Sequence, residues 1–88
     1  MLERHIEAAM VKAARAFGGM ALKWTSPGMT GVPDRIVFMP GGRIVFVELK
    51  APGKKPTALQ LKVQQQIADL GFDVRVIDSV EGVHALFD

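Results

Sequence analysis

Three residues of this 88-residue chain are of the right type and spacing to do chemistry together: Asp34, Glu48 and Lys50. Glu48 and Lys50 end an apolar run, Ile44-Val45-Phe46-Val47, and stand two positions apart. Side chains alternate along a strand, so both point to one face. A carboxylate and an ammonium at the end of a buried strand are costly unless paired or put to use. Asp34 opens the preceding β-branched run, and the register between the two runs decides whether it joins them. With Pro40-Gly41-Gly42 as a three-residue turn, Met39 faces Arg43 and Asp34 faces Glu48. A two-residue turn sets Asp34 against Leu49, on the wrong face, unless a bulge corrects it. The first arrangement, or its bulged equivalent, is the expectation.

Two carboxylates placed together repel, and a hard divalent cation resolves the repulsion. Mg²⁺ prefers a few carboxylate oxygens with waters and substrate phosphate. Such an ion polarises a phosphoryl oxygen and lowers the pKa of a bound water. Lys50 beside it can hold or deprotonate the attacking water, or offset the charge developing on phosphorus. These residue types suit phosphodiester hydrolysis. The plainer reading is a metal-free cross-strand cluster, with Asp34 and Glu48 neutralised by Lys50 and Arg35. A lone Glu-x-Lys is common, but Pro33-Asp34 one short hairpin upstream of an apolar strand ending in Glu-Leu-Lys is far more specific. The first 68 residues also hold no acid besides Glu3, Glu7, Asp34 and Glu48, as a surface meant for phosphate should.

The elements that must position these residues follow from periodicity. Residues 2–17 form an amphipathic helix, with Leu2, Ile6, Ala9, Met10, Ala13 and Phe17 on one stripe, ended by Gly18-Gly19. Residues 20–24 form a first strand, and 25–33 a loop rich in turn residues. Residues 34–39 and 43–50 are the two strands of an antiparallel hairpin. The second is apolar on successive positions, which marks a central strand covered on both faces. After a basic loop at 51–56, Thr57 caps a helix running to Leu70, closed by Gly71. Residues 72–77 form a last strand, parallel to one of the hairpin because a helical crossover precedes it. Residues 79–87 suit a short terminal helix. The fold class is α/β: an αβββαβ core with a mixed sheet flanked by helices.

Size and composition bound the rest. A chain of 88 residues makes one domain, residues 1–88, with a lean core. It has no cysteine, hence no disulfide and no thiolate metal site. It lacks a signal-peptide pattern, and its longest apolar stretch, Ile44 to Val47, is far too short to span a bilayer. A cytoplasmic protein without membrane contact is expected. Residues 1–62 hold ten basic residues against four acids, +6, whereas the last 26 hold one against five, −4. A basic body suits a polyanion such as nucleic acid, although a solvated surface has the same look. His5 and His84 lie far apart without a third ligand, which argues against a histidine-based metal site.

Taken together, Glu3 in the first helix, Pro33-Asp34 and Glu48-Leu49-Lys50 resemble the PD-(D/E)XK nuclease superfamily. Within it, Gly31-Val32-Pro33-Asp34-Arg35-Ile36, Glu48-Leu49-Lys50-Ala51 and Gln60 resemble the VRR-NUC domains, over nearly the whole chain. The resemblance implies a restriction-endonuclease-like fold and a stand-alone domain of the phage or prophage kind, in a bacterial host. It implies that Asp34, Glu48 and the backbone carbonyl of Leu49 bind Mg²⁺, with Mn²⁺ substituting, and that Lys50 assists the water. It further implies that a first-helix glutamate completes the site, that Gln60 lies near it, and that the protein acts as a homodimer on branched DNA such as Holliday junctions. No nucleotide cofactor is implied.

At about 100° per residue, Glu3 lies about 60° from the centre of the apolar stripe and Glu7 about 100°. Glu3 is therefore the expected helix carboxylate and Glu7 the reserve. Carboxylates near a helix N-terminus are favoured in any case. Lys54, Lys55 and Arg35 are candidate phosphate contacts, though exposed loop lysines often only solubilise. Trp24 suits base stacking or, more simply, core packing. Other readings of the same core are a nickase, a flap or single-strand nuclease, and a catalytically silent nucleic-acid-binding module. Metal-dependent cleavage lost in Asp34→Ala separates the enzymes from the last.

Overall fold

The computed structural model describes residues 1–88. Its elements are α1 (Glu3–Ala16), β1 (Met20–Lys23), β2 (Arg35–Met39), β3 (Arg43–Leu49), α2 (Ala58–Asp69), β4 (Asp73–Ile77) and α3 (Val80–Leu86). Boundaries differ from the periodicity by a residue or two, as fraying ends do. The four strands form one sheet in the order β1-β2-β3-β4, antiparallel except for the parallel β3–β4 pair. The fold is therefore the α/β mixed sheet with flanking helices that the element order predicts. No helix is long and apolar enough to cross a membrane.

The hairpin turn fixes the register. Pro40–Gly42 forms one short 3-10 turn, and Met39 pairs with Arg43. Gly41 sits at φ 84°, where a Cβ would be strained. From that pairing Arg35 falls opposite Val47, and one step further along the strands Asp34 meets Glu48. The three-residue turn is thus the one adopted.

The core lies on one face of the sheet. Ile6, Met10 and Ala14 of α1 and Val83 and Leu86 of α3 pack on Ala21, Val37, Met39, Val45, Val47, Leu49 and Ile77. Two expectations need correction here. Leu2 and Phe17 belong to the predicted apolar stripe of α1 but are 50% and 47% exposed. A four-stranded sheet is too small to cover a 14-residue helix to both ends, so the buried stripe shortens to its middle three turns. Phe17 instead rests on Phe87, ring centroids 5.4 Å apart. The second correction concerns β3, whose opposite face is covered only in part. Val45, Val47 and Leu49 are buried, whereas Phe46 is half-buried and Ile44 still exposed.

That second face carries α2. Thr57 caps it as expected: its Oγ1 accepts the Gln60 amide at 3.2 Å, and Gln60 Oε1 accepts the Thr57 amide at 2.9 Å. Gly31, at φ 86°, lies under the helix, where a Cβ would come within 3.0 Å of Leu59 and 3.3 Å of Val63. The loop that delivers Asp34 is therefore clamped by α2 two residues before the buried Pro33.

Candidate active site

Strand alternation places Asp34, Glu48 and Lys50 on the α2 side of the sheet, at the end where β3 gives way to the loop at 50–57. Asp34 is held by its own strand partner: its Oδ2 accepts the backbone N–H of Leu49 at 2.8 Å. The Trp24 amide donates to the Asp34 carbonyl at 2.9 Å, which extends the ladder to this residue. Both ends of Asp34 are therefore fixed by backbone, and its second carboxylate oxygen remains available.

Glu48 is almost wholly buried, at 1% exposure. Its Oε2 accepts from the Lys50 ammonium at 3.2 Å, while its Oε1 is buried without a partner. Burial pushes the Glu48 carboxyl up from the ordinary glutamate range, the charge of Asp34 adds to the shift, and that of Glu3 contributes least; the Lys50 bond and charge act against them. A buried anion with one free oxygen and an anionic neighbour wants a further cation. Lys50 is 16% exposed at its side chain and supplies one from the solvent side.

The remaining candidates are placed as follows. Glu3 is exposed and makes no hydrogen bond, and no three carboxylate, imidazole or thiol side chains converge in the chain. Glu3 is thus near enough to influence Glu48 without closing a three-carboxylate cluster. Glu7 is taken by Arg35, with the guanidinium 3.1 Å from its carboxylate. Arg35 also donates to the Ala21 carbonyl at 2.9 Å. This corrects the reading of Arg35 as neutraliser of Asp34 and Glu48: its guanidinium is engaged with Glu7 and the Ala21 carbonyl. Standing one residue from Asp34, it turns to the α1 face of the sheet. Gln60 spends its side-chain oxygen capping α2, which leaves its amide group free. Lys54 and Lys55 are exposed in a loop pinned by the Gly53 amide donating to Asp78 Oδ2 at 3.3 Å. Trp24 stacks at a tilt on Phe46, centroids 5.4 Å apart, as a packing residue.

One polar group escaped the sequence reading. Gln64, one turn beyond Gln60, is 8% exposed, and its Nε2 is buried without a partner. It lies on the sheet side of α2, beside Val74. The i, i+4 relation to Gln60 was a usable signal, but the run Gln64-Gln65-Gln66 reads as helix surface.

The donor set fits a hard divalent cation. Two carboxylates converge, one of them with an orphaned buried oxygen, and thiolates are absent. Two protein carboxylates with waters match what Mg²⁺ accepts, and a closed cage of side chains is not required. Asp34 and Glu48 would hold it, with the backbone carbonyl of Leu49, next to Glu48 in sequence, at the same strand end.

A mixed four-stranded sheet flanked by helices, with paired carboxylates and a lysine at one end of its two interior strands, defines a restriction-endonuclease-like domain. No family model matches the sequence. A solved structure described as a VRR_NUC domain superposes with a TM-score of 0.90 at 30% identity, covering 98% of this chain and 95% of the other. The "Putative nuclease p44" of Acyrthosiphon pisum secondary endosymbiont phage 1 is 51% identical over 77 residues, 88% of this chain and 83% of that protein. The chain belongs to the VRR-NUC family of nuclease domains.

Proposed function

We propose that this protein is a Mg²⁺-dependent DNA endonuclease, with Mn²⁺ able to substitute, that cuts branched DNA such as four-way junctions as a homodimer. The observation that carries the chemistry is the meeting of Asp34, Glu48 and Lys50 on one sheet face, with a buried Glu48 oxygen left unpartnered. A bound divalent ion would supply Lewis-acid polarisation of the phosphate and an acidified water. The chain's own residues do the rest. Asp34, tied to the Leu49 amide, offers its free oxygen in a fixed direction. Lys50, held by Glu48, keeps an ammonium where it orients the attacking water and offsets charge on the phosphoryl oxygens as the P–O ester bond breaks. Gln60 has donors free at the start of α2 for a phosphate or a water.

The dimer rests on a separate observation. Met20, Phe38 and Ile44 are register neighbours on β1, β2 and β3, and Phe72 precedes β4 at the same level. All four are exposed and form an apolar row across the α2-side face, at the end of the sheet away from the catalytic residues. Rows of this kind mark association surfaces. A two-fold pair supplies the two opposed cuts that a symmetric junction needs.

Cleavage of a labelled panel tests this reading: four-way junction, flap, fork, duplex and single strand, each with Mg²⁺, Mn²⁺ or EDTA, and with Asp34→Ala as control. Paired symmetric cuts confined to the junction support it. Metal-dependent cutting of flaps or single strands would keep the active site and discard the junction role. Binding without any cleavage would leave a silent binding module.

A further inference from the structure

The nucleic-acid reading leaves several exposed cations without a task, and three of them share one helix. Arg4, Lys12 and Arg15 of α1 are exposed, and none of them forms an ion pair. At 3.6 residues per turn they fall within roughly 80° of the helix circumference, spread over roughly 16 Å of its length. They line a groove between α1 and the sheet, with Ala8 between them and Arg35 at its floor. The acid in the groove, Glu7, is neutralised by Arg35. The acids of the C-terminal third are not among the residues that line it: they sit on α2, β4 and α3, in the link between β4 and α3, and at the chain end. Small side chains between long cations let a partner's backbone approach the helix closely.

The groove also points somewhere. Its floor residue, Arg35, is the chain neighbour of Asp34 but leaves the opposite face of the sheet, and Arg4, at the N-terminal end of α1, stands next to the Glu3 whose charge reaches Glu48. The groove lies on the α1 face of the sheet and Asp34, Glu48 and Lys50 on the α2 face, so a polyanion in it reaches the cutting residues by passing the sheet end at the N-terminus of α1. The span of the three cations matches the axial length of about five phosphates of one strand, at about 3.4 Å each. We infer that α1 is a track for the phosphodiester backbone of a DNA arm, with Arg4, Lys12 and Arg15 as its phosphate contacts. It is a second contact surface besides the loop of Lys54 and Lys55, and it rests on the nuclease reading above.

The test separates binding from cutting. Anisotropy of a labelled duplex and four-way junction is followed against salt in EDTA, with Asp34→Ala protein as the background. Adding Arg4→Ala, Lys12→Ala and Arg15→Ala together should weaken binding at least roughly tenfold near 100 mM salt and flatten the log–log salt slope by about 2.7, three contacts at about 0.9 each. Arg4→Lys with Arg15→Lys should keep the slope. A triple variant with an unchanged slope would overturn the proposal. In the unsubstituted protein, DNA should shield Lys12 from acetylation, read by mass spectrometry. Shielding of Lys54 and Lys55 alone, with Lys12 modified at its free rate, would overturn it too. Should no substrate be cut while the slope still falls, the nuclease reading fails and the track stands.

Discussion

Replacing Glu48 with glutamine keeps the shape of the side chain and removes a buried charge. The Glu48 carboxyl is pushed up by burial and by Asp34, so over a window above the unfolded value the folded protein holds more of this proton than the unfolded chain does. Between the unfolded value near about 4.3 and the raised folded value, stability therefore falls as pH rises. It is greatest below that window and lowest above it. Glu48→Gln should abolish this slope and raise stability at neutral pH, while cleavage falls at least about 100-fold; urea melts from pH 4 to 8 and a cleavage assay on the same protein check both. Gln64→Met removes a buried unpaired donor and should be neutral or stabilising by up to about 1 kcal/mol. A clear loss in a denaturant melt would show that the amide has a partner after all. At this scale the sequence was readable where period and register sufficed, at Asp34, Glu48 and Lys50. It was opaque for Arg35, whose partner Glu7 lies 28 positions away on another element.

Each strand and helix here is recognisable from local pattern, yet how much of it is covered is not local. The register of β2 and β3 followed from the turn, and the Thr57 cap from a hydroxyl at the head of a helical run. The exposed ends of α1 and the half-covered face of β3 depend on how far neighbouring elements reach, which periodicity does not encode. Gly31 shows the coupling between elements. Gly31→Ala forces a side chain into a left-handed backbone at a cost of about 1–2 kcal/mol, and against Leu59 and Val63 besides. It should lower the urea midpoint accordingly. Because Asp34 follows three residues later, the cleavage rate should also fall by more than the folded fraction explains.

For the molecule as a whole, an exposed apolar row lies at one end of the sheet and the Asp34, Glu48 and Lys50 cluster at the other, and the proposed function gives association to the first and cleavage to the second. Phe38→Glu or Ile44→Glu places a charge in the row and leaves the core face untouched, since neither residue is buried. Either variant should sediment as a monomer, keep its melting behaviour, and replace paired junction cuts with single nicks. A dimer that survives both changes would move the interface to another surface. None of this row was visible as a patch in the sequence, because Met20, Phe38, Ile44 and Phe72 come from four segments and only strand order aligns them.

The three residues of Pro40–Gly42 carry a consequence for how such a chain can diverge. Surface turns ordinarily absorb insertions and deletions freely. Here the turn counts out the register that brings Asp34 to Glu48. One residue more or less would turn an intact Glu-Leu-Lys motif to the other face relative to Asp34, so that Asp34, Glu48 and Lys50 all survive in the sequence while their cluster dissolves. Among descendants of this chain, spelling in the turn can drift as long as its glycine geometry is met, but its length is under the same selection as the carboxylates.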